Sequence, residues 1–184
     1  MPKPISIRKF FYLLLFVPSL IVAGCFGGGV DKSGSVTGYR NGIVLTQGGK
    51  FQIGLLPPYW KVIPLSYRAI LFSHSSLGSS ISVDAFCKGS FDDAPLNLLS
   101  HQLFYGLGAF KNIRQEKLML DEREALRAVV SGTMDGVPVI LDSVVLKMNE
   151  CVFDFVYTAF PKNYSNGVRD FEGLYKGFKY ITGP

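Results

Sequence analysis

Little in this chain is suited to catalysis. It has two histidines, His74 and His101, one tryptophan, Trp60, and three cysteines, Cys25, Cys87 and Cys151. No group of histidine, cysteine and acid has the spacing of a zinc site. Gly27-Gly28-Gly29 lacks the Gly-Lys-Ser/Thr that completes a phosphate loop and precedes any strand-like run. No Gly-x-Ser-x-Gly elbow is present, so Ser75 and Ser76 beside His74, with Asp84 further on, read as turn and strand residues rather than a triad. The acids Asp92 and Asp93 suit a helix start, and Asp121, Glu122 and Glu124 suit a solvated turn. No enzyme activity, cofactor or metal is expected.

Long apolar runs and basic blocks are also missing. Phe10 to Val17 is unbroken, and Leu20 to Ala23 resumes it after Pro18-Ser19. Together they fall short of the roughly 20 residues that span a bilayer. Lys3, Arg8 and Lys9 precede the run with no acid to offset them, which is the anatomy of an export leader. The formal net charge is +5. Those three cations leave with the leader, so the remaining chain is close to balance and its basicity does not point to nucleic acid.

Small residues end the apolar run at Val22-Ala23-Gly24-Cys25. This stretch resembles the lipobox of bacterial lipoproteins, with Val in the usual Leu position. The resemblance implies cleavage between Gly24 and Cys25 and acylation of the Cys25 thiol, a natural nucleophile. It also implies a membrane-anchored protein of the cell envelope facing the periplasm. Phe26 is not the Asp that marks inner-membrane retention in enteric-type lipoproteins, so the outer membrane is the expected address. Residues 1–24 are then the signal, 25–35 a glycine-rich tether and 36–184 one globular domain.

Cys87 and Cys151 are left as a pair. In an oxidising compartment they form a disulfide, with two separate buried thiols as the alternative. Two cysteines with no histidine nearby are too few for a metal.

The domain is rich in Phe, Tyr and Val, which favour strands. Gly42 to Thr46 and Phe51 to Leu55 flank a Gln47–Lys50 turn, and Pro57-Pro58-Tyr59-Trp60 ends the second run. Arg68–Phe72 and Ser80–Phe86 make another hairpin, with Ile81, Val83 and Ala85 alternating inward. A helix is expected from Asp93 to Leu107, with Leu96, Leu99, Leu103 and Phe104 on one face. Ile113–Leu120, Ala125–Met134, Val137–Lys147 and Cys151–Phe160 follow as strands. Asp135-Gly136 is the strongest turn signal, and Asn149-Glu150 is a second tight turn. A helix over Ser165–Tyr180 closes the chain, and its Gly173 and Gly177 suit a close approach to the sheet. The expected architecture is α+β, a mostly antiparallel sheet of about six to eight strands with two main helices packed on it.

This order is similar to the PsbP-like fold. The likeness rests on Phe51-Gln52-Ile53 followed by Pro57 and Trp60, on the Asp135-Gly136 hairpin, on Asn149-Glu150-Cys151 leading into an aromatic strand, and on Phe171 to Phe178. It implies a module that binds other proteins and brings no catalytic residues. Pro57, Pro58, Tyr59 and Trp60 are the candidate contact surface, because aromatic residues on a rigid loop make good anchors. Trp60 as a plug of the sheet core is the alternative. Two functions remain open: an accessory module for an envelope protein complex, and a carrier of a small ligand or lipid in a groove between sheet and helix.

Overall fold

The computed structural model describes residues 36–46, 49–63, 69–87 and 93–181. The leader, Gly24, Cys25 and the tether lie outside them. Among the described residues eleven strands form two antiparallel sheets. The small sheet contains β1 (Val36–Arg40), β2 (Ile43–Thr46), β3 (Gly49–Gln52) and β11 (Lys179–Ile181), in the order β1-β2-β3-β11. The large sheet contains β4 (Trp60–Ile63), β5 (Ala69–His74), β6 (Ser80–Cys87), β7 (Gly108–Leu120), β8 (Arg123–Met134), β9 (Val137–Met148) and β10 (Cys151–Ala159). Its order is β4-β5-β6-β10-β9-β8-β7.

The meander β7 to β10 is built by two-residue turns. Asp121-Glu122, Asp135-Gly136 and Asn149-Glu150 all have positive φ at both positions, the backbone twist that suits tight antiparallel hairpins. Each turn fixes the register of the strands it joins. Apolar residues of β10 then alternate, with Phe153, Phe155 and Tyr157 on one face and Val152 on the other, all but excluded from solvent.

Each face of the large sheet has its own cover. The inner face meets the small sheet and α2 (Tyr164–Lys176). Phe51, Phe72, Phe153, Phe155, Phe171 and Leu174 belong to this main core. Phe171 stacks on Tyr157 with ring centroids 5.8 Å apart, and Phe51 meets Phe153 edge-on at 5.0 Å. The outer face carries α1 (Leu96–Gln102). Leu99 packs with Val145 and Val152, and Phe104, just past the helix, packs with Val130 and Leu141.

The α+β class and the mostly antiparallel pairing agree with the sequence. The single sheet does not, because β1 to β3 separate into a second layer with β11. Trp60 starts β4 rather than closing a loop. The first helix is shorter than expected: Asp93 does not cap it but binds Lys147 Nζ at 2.8 Å, and the helix begins after Pro95 without a side-chain cap. The strand expected from Ile113 begins at Gly108. The last helix stops at Lys176, because Gly177 abuts the backbone of Ile53 and Gly54 and turns the chain into β11. Gly54 supplies the other half of that contact, its N–H donating to Leu174 O at 2.9 Å. Gly173 faces open space, so of the two helix glycines only Gly177 serves the approach.

Candidate interaction surface

Cys87 and Cys151 are register partners on β6 and β10. They form a disulfide, with Cα atoms 3.9 Å apart. The bond ties the two strands at one end of the large sheet.

The aromatic stretch lies at the opposite end. There Trp60 opens β4 beside His74 of β5. Trp60 is only 5% exposed. Its Nε1 donates to Asp170 Oδ2 at 2.9 Å, and its ring meets His74 and Tyr157 edge-on at 5.0 and 6.2 Å. It is therefore withdrawn from the expected contact surface. The Tyr157 ring and, beside it, the indole fill the space left by Gly167, and the one polar atom of the indole finds an acid on α2. Tyr59 stays at the surface and shares the same acid, its hydroxyl donating to Asp170 Oδ2 at 3.0 Å. Local desolvation, then this acid, hold the Tyr59 phenol above its ordinary pKa. Pro58 is exposed and Pro57 half-buried.

His74 is part of the same corner. Its Nδ1 accepts the N–H groups of Ser76 and Leu77 at 3.2 and 3.3 Å, so the ring organises the β5–β6 turn. His101 packs against Phe104 and Phe110.

Further apolar groups share this sheet end. Phe160 follows β10 and covers Gly78 of the β5–β6 turn. Val137 and Met134 face each other across the Asp135-Gly136 turn. Val137, Pro138, Phe160, Pro161 and Lys162 line one shallow cavity of about 340 Å³. Tyr105, before the start of β7, is 81% exposed. Tyr59, Met134, Val137 and Phe160 are exposed too. Together they make an apolar rim along the ends of β4, β10, β9, β8 and β7. Single exposed apolar residues need no explanation, but several gathered at one end of a sheet do.

Sequence reasoning missed a buried ion network on the inner face. Arg127 of β8 binds Asp142 of β9 in a fork, Nε to Oδ1 at 2.9 Å and Nη2 to Oδ2 at 2.6 Å. Its Nη1 reaches Glu172 of α2 at 2.9 Å and donates to the Tyr175 hydroxyl at 3.2 Å. The Tyr164 hydroxyl donates to Asp142 Oδ2 at 2.7 Å. Burial alone would lower the Arg127 pKa, but Asp142 outweighs it and the guanidinium is held charged. Burial would raise Glu172, yet Arg127 and Lys176 bring it below the ordinary value. Burial pushes the Tyr175 phenol up to about 12. Every charge is answered inside the cluster, which fits a clamp holding α2 to the sheet. The signal was available: Arg127 and Asp142 each interrupt an apolar strand, and the register fixed by Asp135-Gly136 puts both on one face.

A second buried acid has the opposite character. Asp154 of β10 lies opposite Asp84 of β6 on the outer face. It is 9% exposed, and its Oδ1 has no hydrogen-bond partner among the described residues. Burial, then the Asp84 charge, pushes its carboxyl up to about 7.

These layers and their order define a PsbP-type α+β sandwich. No protein-family model and no curated protein matches the chain. Solved structures do. Cyanobacterial PsbP (CyanoP) from Synechocystis sp. PCC 6803 superposes with a TM-score of 0.57 at 10% identity, over 80% of this chain and 98% of that one. LpqN of Mycobacterium tuberculosis, described as involved in cell envelope biogenesis, gives 0.52 at 14% identity, over 73% of this chain and 86% of that one. A protein from Bacteroides thetaiotaomicron VPI-5482 gives 0.53 at 10% identity over 72% of this chain, which spans 45% of that longer protein. At these identities the likeness is one of fold.

Proposed function

We propose that this chain is a lipid-anchored lipoprotein of the cell envelope. Its domain acts as a non-catalytic accessory module, docking on a protein complex through the apolar rim. The rim carries the reading: several exposed aromatic and aliphatic side chains at one end of the large sheet, next to the buried Trp60–Asp170 corner. Aromatic anchors on a rigid support are what interfaces favour. The lipobox-like Val22–Cys25 and the glycine-rich tether support anchoring at Cys25. The same fold in LpqN, with its described part in envelope biogenesis, supports the compartment. Phe26 favours the outer membrane.

Val36 pairs with Thr46, beside Gly49 at the start of β3. From β3 the small sheet continues to β11, whose Tyr180 N–H donates to Asp121 at 2.9 Å, in the turn at the far end of the large sheet from the rim. The described domain begins at Val36 in the small sheet, and a glycine-rich leash ahead of it would leave the rim free to reach a partner. The ligand-carrier reading is not favoured. It needs an apolar groove between sheet and α2. Phe171, Leu174, Tyr157 and Phe153 fill the centre of that interface, and the cavity of about 340 Å³ between its β7 edge and α2 is lined largely by charged side chains, Arg114, Glu116, Arg127, Glu172 and Lys176 among them.

Two measurements on the full chain in its envelope test the proposal. Cys25→Ser should move the protein from the membrane to the soluble fraction. A photo-crosslinking residue at Tyr105 or Phe160 should give one discrete protein adduct, and the same residue at Leu45, in the small sheet, should not. Equal adducts from Leu45, or none from either rim position, would overturn the rim as the docking surface. Membrane retention of Cys25→Ser would overturn the anchor.

A further inference from the structure

β7 is the longest strand at an open edge of either sheet. It has 13 residues, most of them exposed, with Phe110, Glu116 and Leu118 half-buried and Leu120 buried. It forms one edge of the large sheet and pairs only with β8 among the described residues. The outer-face helix packs on β8 and β9, and α2 packs on β10. Ile113 and Met119 are 56% and 65% exposed.

A long open edge is a template for another strand, and proteins ordinarily blunt such edges with bulges and charge. Here the blunting is partial. The irregular pairings fall between Gly108 and Lys111 and between Asn112 and Arg114. From Arg114 to Leu120 the register with β8 runs one to one. Among the described residues that stretch keeps an unbroken outer row of backbone N–H and C=O groups.

The charge on the strand has a sign. β7 carries Lys111, Arg114 and Lys117 against Glu116, and Lys117 Nζ also binds Glu124 Oε2 of β8 at 3.2 Å, a solvent-exposed pair that an incoming acid can displace at little cost. Glu116 is held by Arg114 Nη2 at 2.6 Å and is reached from behind by Arg127 Nη1 at 3.5 Å. A second copy of this chain would bring the same excess of cations against the edge. An acidic strand would meet them favourably. The charges thus discriminate between occupants rather than closing the edge altogether.

We propose that the outer edge of β7 over Arg114–Leu120 accepts an extended acidic segment of another protein as an eighth strand. Backbone hydrogen bonds supply the attachment, as in other cases of strand addition. Arg114 and Lys117 lie on opposite faces, since they pair with Val129 and Leu126, so acids on both faces of the incoming strand are read. Leu118 and Met119 take apolar neighbours. This surface is separate from the rim and does not depend on the lipid anchor.

The test uses the full chain in detergent micelles and two short end-blocked peptides, one alternating glutamate with valine, the other lysine with valine. Fluorescence anisotropy should show the glutamate peptide binding at least about tenfold more tightly at low salt, with the difference shrinking as salt screens the charges. N-methylation of alternate residues in the glutamate peptide should abolish binding to the unaltered protein, which requires no variant to fold. Arg114→Glu with Lys117→Glu should reverse the preference. Equal affinity for the two peptides, absence of binding, or binding that survives N-methylation would overturn the proposal. A full chain that sediments as a dimer and gives monomer when either peptide is added would assign the edge to a second copy instead.

Discussion

Arg127 and Asp154 are both ionisable groups set into the large sheet, and the fold treats them in opposite ways. Arg127 is surrounded by acceptors, and Asp142 beneath it is fully buried. Removing one member of such a pair leaves an unanswered buried charge, so Arg127→Ala should lower stability by about 3–5 kcal/mol. Arg127→Met combined with Asp142→Leu should be much milder, because both charges leave together. Urea midpoints of the two variants give the comparison. Asp154 instead has an oxygen with no partner and a like charge opposite. Its folded-state pKa of about 7 exceeds the ordinary value of 3.8. The folded state therefore binds more protons between those limits. Stability is full below the lower value and is lost as pH rises through about 7, by at most about 4 kcal/mol. Asp154→Asn should flatten that slope and make the variant the more stable protein in alkaline buffer, which urea unfolding across pH would show. Neither environment could be read from residue type alone. The Arg127–Asp142 pair needs the hairpin register, and the Asp154–Asp84 pair needs to know that β10 lies beside β6, across more than sixty residues of chain.

The elements that were legible are those specified by their own residues. Asp135-Gly136 and Asn149-Glu150 adopt the left-handed backbone their hairpins require. The alternation of Ile81, Val83 and Ala85 is realised with all three fully buried. What escaped was set by distant partners. β11 is three residues long and exists because β3 offers it an edge. β1 is polar and short, although Asn41-Gly42 after it carries the same turn chemistry as Asp135-Gly136, with φ of 47° and 82°. Gly54 falls inside the strand expected over Phe51 to Leu55, yet that strand stops at Gln52 and Gly54 receives the end of α2. Glycine exchanges separate these roles. Gly54→Ala would drive its Cβ into the Gly173 carbonyl and should be destabilising by at least about 2 kcal/mol, through strain and the disturbed bond to Leu174 O. Gly173→Ala meets nothing and sits inside the helix, so it should stabilise by about 0.5–1 kcal/mol. Thermal melts of the two proteins should move in opposite directions.

At the scale of the whole molecule, the disulfide joins strands 64 residues apart. The chain-entropy argument gives about 4 kcal/mol for a loop of that length. Cys87→Ser with Cys151→Ser should lower the urea midpoint accordingly, and reductant should shift the unaltered protein but not the variant. The same connectivity has a bearing on how the chain comes into being. The centre of the large sheet is the β6–β10 pair, and the small sheet is finished only by β11 against β3. Strands from the first half thus wait for partners in the last, and contacts of such long range form slowly. A polypeptide delivered N-terminus first through a narrow membrane channel would have neither sheet complete until nearly all of it had crossed. It would stay threadable during passage and lock once its final residues arrived.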